Sequence, residues 1–329
     1  MIIKTPSRLH ITLIDLNGSI GRIDGGVGLT TENPSFILQS EIQDSGIEIN
    51  FENKFYDKKI KDEYRDKIEN AAKKMIKFLK IQNGYKFLVK ETYPPHSGLG
   101  SGTQISLAVG KSILNLNNMN MKSSQVAKIV GRGGTSGIGV IAFDYGGLII
   151  DGGHKINEKP DFLPSSASNA SPAPLIARYD FPEEWKIIIA IPNVPAGASG
   201  SKEVNIFQSY CPIPLAEVQK LSHIMLMKMM PAIVEEDIRS FGDSINQIQN
   251  VGFKKIELQL QHPLVHDLIK NMDLAGACGV GMSSFGPTVY AFTDNNLKQI
   301  SRSAKDTMKE IGGKVVITKA QNNGANIID

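Results

Sequence analysis

The residues best suited to chemistry in this chain are concentrated in the run Pro94-Pro95-His96-Ser97-Gly98-Leu99-Gly100-Ser101-Gly102-Thr103. A β-rich stretch, Tyr85 to Val89, precedes it, and a helical pattern through Ile105, Ala108, Val109 and Ile113 follows. Glycines let a backbone turn with positive φ and approach a ligand closely, while the first amides of a helix have no intrahelical partner. With the positive end of the helix dipole added, the run forms an anion cradle suited to a diphosphate. It lacks the Gly-Lys-Ser/Thr ending of a Walker loop and the spacing of the dinucleotide fingerprint. Taken alone, it also suits a plain connection between a strand and a helix.

The elements around this loop alternate. Ile11 and Leu13 belong to an N-terminal strand opening into a glycine-rich turn region from Asn17 to Gly28, and Ile47, Ile49 and Phe51 alternate as a second strand. From Asp62 to Leu79 the apolar residues recur at helical spacing among many charges, which makes the charged face a solvated one. Ser123 or Ser124 caps a short helix through Val130, and Gly-Arg-Gly-Gly-Thr-Ser-Gly-Ile-Gly then leads into a strand around Leu148 to Asp151. Further on, a buried strand is expected at Lys186 to Ile191, helices over Val204 to Asn250, and a helix from Leu264 to Met272. A strand at Pro287 to Phe292, a helix from Leu297 to Ile311 and a final strand near Lys314 to Thr318 complete the pattern. The methionines 225, 227, 229 and 230 read as adaptable core filling. Helices and strands without a strict βαβ rhythm indicate an α+β class. The Pro-, Ser- and Ala-rich stretch from Pro160 to Pro174 divides the chain into 1–165 and 175–329.

Composition limits the partners. The 329 residues are 41% hydrophobic and 21% charged, enough for two buried cores. A net charge of +3 gives no field that would select nucleic acid or a membrane, so an anionic substrate must be met by a local site. Two distant cysteines, Cys211 and Cys278, form neither a metal-ligand pattern nor a disulfide framework. No apolar run reaches the ~20 residues needed to span a bilayer and the N-terminus has no signal-peptide core, so a cytoplasmic protein is expected.

Three segments together resemble the GHMP kinase superfamily. Ser97 to Thr103 matches its PxxxGLGSSA-type phosphate loop; Pro6-Ser7-Arg8-Leu9-His10-Ile11 is similar to its first motif; Gly279-Val280-Gly281-Met282-Ser283-Ser284-Phe285-Gly286-Pro287 is similar to its third. The resemblance implies a ribosomal-protein-S5-like N-terminal domain joined to a GHMP C-terminal domain. One departure is informative. Where most such kinases carry SGxxD, with a carboxylate that orients or deprotonates the acceptor, this chain has Thr135-Ser136-Gly137-Ile138-Gly139. Within the superfamily, the stretches PSRLHITLIDLNGSIGRIDGGVGL and GRGGTSGIGVIAFDYGGLIIDGGH resemble one branch, the archaeal β-ribofuranosylaminobenzene 5′-phosphate synthases of methanopterin biosynthesis.

That resemblance implies condensation of phosphoribosyl pyrophosphate with 4-aminobenzoate or 4-hydroxybenzoate, with loss of carbon dioxide and pyrophosphate, in a homodimer using Mg²⁺. On it, the loop residues Ser97, Gly98, Leu99, Gly100, Ser101, Gly102 and Thr103 hold the donor with Arg132. Arg8 and Arg22 are expected to pair with anions, since a guanidinium meets carboxylate or phosphate bidentately. Asp15 or Asp24 is expected to stabilise developing positive charge or hold Mg²⁺, with Asp24 the candidate metal ligand. His10 lies within the first motif, Asp151 and His154 flank the second stretch, and His96 adjoins the loop. The alternative is an ATP-dependent small-molecule kinase on the same scaffold, against which the missing carboxylate counts.

Overall fold

A computed structural model of the chain describes residues 1–52, 57–165, 167–198 and 200–328. Two sheets organise it. The first has eight strands: β1 (Ile2–Asp15), β2 (Arg22–Gln43), β3 (Ile47–Phe51), β4 (Gly84–Glu91), β5 (Leu148–Asp151), β6 (His154–Lys155), β7 (Leu175–Tyr179) and β12 (Asn326–Ile328). The main path runs β12-β1-β2-β4-β3, while β5 and β6 pair with β2, and β7 with β5. Helices α1 (Lys58–Leu79), α2 (Ser101–Leu116), α3 (Ser123–Val130) and α4 (Ile138–Asp144) belong to this half of the chain.

The second sheet is the antiparallel path β11-β8-β10-β9, made of β8 (Lys186–Pro192), β9 (Gly279–Met282), β10 (Val289–Thr293) and β11 (Gly313–Lys319). Isoleucines 187, 188, 189 and 191 of β8 are all buried, as the uninterrupted β-branched run requires. Helices α5 (Ser201–Tyr210) and α6 (Leu215–Ile224) follow β8; a π turn, Met225–Met229, continues α6 into α7 (Met230–Val234). Next come α8 (Ile238–Ile248), α9 (Gly252–Gln259), α10 (Pro263–Leu274) and, after β10, α11 (Leu297–Thr307). Met225 and Met229 are buried in the core, whereas Met227 is exposed. Strand β7, which opens the second segment of the sequence reading, pairs in the first sheet, as does β12, and one cluster of buried side chains runs from Ile3 and Phe87 through to Phe181, Trp185 and Phe292.

Two local differences from the sequence reading have a steric reason. The expected turn region from Asn17 to Gly28 is a turn only before Arg22; Arg22 to Gly28 is strand. The segment after Arg132 is not only a loop, because α4 forms there. The two differences are linked: a Cβ on Gly28 would stand 2.3 Å from Cγ2 of Ile138 and 2.8 Å from the Leu9 carbonyl. Glycine in the strand is what lets α4 lie against the sheet.

Candidate active site

Strand β1 sets the first line of the site. Arg8 and His10 lie two residues apart, so both project to the same side of the strand, ~6.6 Å apart along it, with Leu13 further on. All three line one cleft of about 260 Å³, together with Gly98, Gly100, Ser101, Gly102, Thr103 and Arg132.

The glycine loop is clamped from three directions. Gly98 and Gly100 have φ of +87° and +80°, conformations that a Cβ would strain. The Gly98 carbonyl accepts from the Arg8 guanidinium and, at 2.7 Å, from the Ser283 hydroxyl. The Arg8 amide donates to the Leu99 carbonyl at 3.2 Å. Arg132 Nε donates to Thr103 Oγ1 at 3.4 Å. Thus the N-terminus of α2 opens on the cleft with two guanidinium groups beside it. Burial pulls the Arg8 pKa down to about 10, so it remains a cation at neutral pH.

His10 is 4% exposed, and both its ring nitrogens lack a hydrogen-bond partner among the described residues. Its backbone is tied to the third motif: the His10 amide donates to Ser283 Oγ at 2.9 Å, and the Ser284 amide donates to the His10 carbonyl at 2.9 Å. Burial, with Arg8 and Lys254 nearby, holds its pKa well below the ordinary histidine value, so the imidazole is neutral. A neutral imidazole lining a cleft offers it one donor and one acceptor nitrogen.

Three charged groups that the sequence reading did not single out complete the site. Lys254 and Glu257, on α9, are 0% and 3% exposed and form an ion pair. Lys254 also donates to the carbonyls of Met282 and Ser284, each at 3.2 Å, fixing the third motif's turn. Glu203, in the first turn of α5, lines the cleft and has no hydrogen-bond or ion-pair partner among the described residues. Burial first, then the charge of Glu257, raise its pKa to about 7. The remaining wall is apolar: Leu13, Phe207 and Phe285, which belong to one cluster with Phe253. The Phe207 and Phe285 ring centroids are 6.5 Å apart.

Other expected residues lie elsewhere. Ser97 closes its own turn on the Pro94 carbonyl at 2.8 Å, and Leu99 is a core residue at 1% exposure. Asp15 accepts from the amides of Asn17 and Gly18 at 2.8 and 3.0 Å, capping the β1–β2 turn. Arg22 donates to the carbonyls of Gly152 and Gly153. Neither Asp15 nor Arg22 is among the residues lining the cleft. Asp24 is 1% exposed and shares its carboxylate between Lys159 Nζ, at 2.9 and 3.1 Å, and His154 Nδ1, at 2.6 Å. Its oxygens are engaged in that network, and it is not among the residues lining the cleft. Asp151 is likewise buried, accepting from the Gly137 and Gly153 amides beneath α4. His96 lines the cleft and pairs with Glu63 at 2.8 Å. Thr135, Ser136 and Gly139 of the stretch that stands where most such kinases have SGxxD line it too, and none of the three is an acid.

This combination of a two-sheet α+β fold, a glycine loop at a helix N-terminus and a clamping third motif defines a protein of the GHMP kinase fold. Residues 66–147 match the family described as GHMP kinases N terminal domain, and residues 229–310 match GHMP kinases C terminal. The mevalonate kinase of L. major, solved with R-mevalonate, superposes with a TM-score of 0.71 at 15% identity, over 98% of this chain and 96% of that one. Much nearer in sequence is the β-ribofuranosylphenol 5′-phosphate synthase of Methanothermobacter thermautotrophicus, 52% identical over 100% of this chain and 98% of that protein. The synthase of the same name from Methanocaldococcus jannaschii is 49% identical over 99% of this chain and 100% of its own length. The chain belongs to the β-ribofuranosylphenol 5′-phosphate synthase family. A 4-diphosphocytidyl-2-C-methyl-D-erythritol kinase of Bacillus cereus is similar at only 23% identity.

Proposed function

We propose that the protein joins the anomeric carbon of phosphoribosyl pyrophosphate to the carboxylate-bearing ring carbon of a para-substituted benzoate. Carbon dioxide and pyrophosphate leave, and the reaction is an early cytoplasmic step of tetrahydromethanopterin biosynthesis. The observation that carries this reading is that one cleft joins a glycine cradle flanked by two guanidiniums to an apolar wall of Leu13, Phe207 and Phe285. The first part suits a diphosphate and the second a benzene ring. The relatives' name ends in a phenol, which supports 4-hydroxybenzoate ahead of 4-aminobenzoate as the arene.

On this reading Arg8, Arg132 and the N-terminus of α2 hold the diphosphate and stabilise it as it departs. The wall packs the ring, excludes water and turns the carboxylated carbon toward the anomeric carbon. The C–O bond to pyrophosphate breaks with its electron pair going to pyrophosphate; ring electrons form the new C–C bond. The carboxylate then leaves as carbon dioxide, and its bonding pair restores the aromatic ring. No proton need be taken from the attacked carbon, so a site without the kinase carboxylate is competent. Among the described residues no group of three or more His, Cys, Asp or Glu is placed to hold a metal. Mg²⁺ stays in the proposal as a counter-ion that would arrive with the donor and would neutralise charge on the leaving group. The homodimer is proposed with it and is measured by sedimentation.

Carboxyl-labelled 4-hydroxybenzoate tests the reading. Labelled carbon dioxide should appear only with phosphoribosyl pyrophosphate and Mg²⁺, without ATP. No release from either arene, together with ATP hydrolysis on an alcohol acceptor, would transfer the protein to the kinases.

A further inference from the structure

Resting on that reaction, the geometry points to Glu203 as the group that faces the anomeric carbon and stabilises the ribosyl cation as pyrophosphate leaves. Sequence reasoning gave this task to Asp15 or Asp24. One caps a turn, the other is locked to Lys159 and His154, and neither lines the cleft.

Two carboxylates line the cleft among the described residues, Glu203 and Glu257. Glu257 is committed to Lys254. Glu203 has no hydrogen-bond or ion-pair partner among the described residues. Its placement follows from α5: Phe207 is four residues on, so the carboxylate and the ring share one helix face, and both line the cleft. Arg132 and Arg8 line the same cleft, and their charges counter part of the rise in its pKa. Glu203 thus shares a helix face with the apolar wall and is coupled in charge to both arginines of the cradle, and the ribosyl centre must sit between the two if the diphosphate occupies one and the arene the other.

The step is electronically balanced without a proton. As the C–O bond lengthens, positive charge grows on the anomeric carbon and ring oxygen, and negative charge on pyrophosphate; the arginines meet the second and Glu203 the first. A carboxylate in a desolvated cleft interacts strongly with a cation that exists only near the transition state, so its contribution falls on turnover rather than on ground-state binding. The groups facing Glu203 are Glu257 from α9, Arg8 from β1 and Arg132 from the segment after α3; Lys67 and His96 line the same cleft from the α1 side. Only the ionised form serves. Turnover should therefore fall as pH drops through about 7, the value to which burial and Glu257 raise it.

The test is Glu203→Gln, which keeps size and shape. The wild type must first release labelled carbon dioxide; if it does so with neither arene, the reaction assignment fails, not the role of Glu203. Given an active wild type, the expected result is a loss of kcat of about a hundredfold. The loss should be the same with 4-hydroxybenzoate and 4-aminobenzoate, with no acid limb near neutrality in the remaining rate. The thermal shift produced by phosphoribosyl pyrophosphate with Mg²⁺ should be retained in the variant. His96→Gln is the control and must keep the limb. Unchanged kcat overturns the proposal. A loss confined to the hydroxy arene would instead make Glu203 the phenol's base, and a lost thermal shift would make it a donor- or metal-binding residue; either also overturns it.

Discussion

The replacement Asp24→Asn tests whether this carboxylate is a structural counter-charge. Asp24 is 1% exposed, and the Lys159 ammonium it balances is 3% exposed, with Thr135 Oγ1 and the Leu163 carbonyl as its other partners. Removing the charge and leaving the ammonium buried costs ~3–5 kcal/mol. Over 329 residues the unfolding entropy is ~0.7 kcal/mol/K, so melting should fall by ~4–7 °C at pH 7. The pH dependence gives a second check. Without Asp24, burial penalises the lysine cation in the folded state only, so the unfolded chain binds more protons and stability rises with pH. Each pH unit between the depressed folded pKa and the ordinary lysine range returns at most ~1.4 kcal/mol, so the deficit should narrow by up to ~2 °C per unit between pH 7 and 9. Adding Lys159→Met to the variant should recover most of the loss, since apolar replacement of a buried pair is often neutral. Calorimetry at pH 7, 8 and 9 measures all of this. A melting point within about 1 °C of wild type at pH 7, or a deficit that widens with pH, refutes the reasoning.

Two further outcomes follow from residues outside the cleft and from the β2–α4 contact. Asp15→Ala and Arg22→Gln should each retain turnover to within about twofold, because neither lines the cleft, while stability falls by roughly 1–3 kcal/mol through lost turn and carbonyl bonds. Steady-state kinetics beside denaturant titration would show otherwise if either residue served catalysis. Gly28→Ala should cost roughly 1–3 kcal/mol, since its Cβ would stand 2.3 Å from Ile138; an unchanged denaturation midpoint would mean that α4 can retreat freely.

The parts of this molecule legible in sequence were those with local signals. The glycine loop, Arg8, His10 and the third-motif turn were found because each is a run of residues with its own chemistry, and all border one cleft. Strand β8 was found because four buried isoleucines leave no other reading. Asp15, Arg22 and Asp24, which do not line the cleft, show the opposite case: an acid or arginine next to a motif looks alike in sequence whether it faces ligand, backbone carbonyl or a buried lysine. Glu203 and Lys254 were missed because a first-turn glutamate and an i, i+3 Lys–Glu pair read as solvated helix surface. Only tertiary packing desolvates them. The i, i+4 spacing of Glu203 and Phe207 was the one available hint, and it is common to many helices.

The Ser283 hydroxyl touches two things at once, the carbonyl of Gly98 and the amide of His10, across sequence separations of 185 and 273 residues. Contacts of that sequence separation form slowly, because the loop must close before the contact rewards it. The cleft is therefore complete only when both ends of the chain are folded against each other. A donor molecule that binds there acts as a staple between segments remote in sequence, so its occupancy should raise the melting of the first and second sheets together as a single transition.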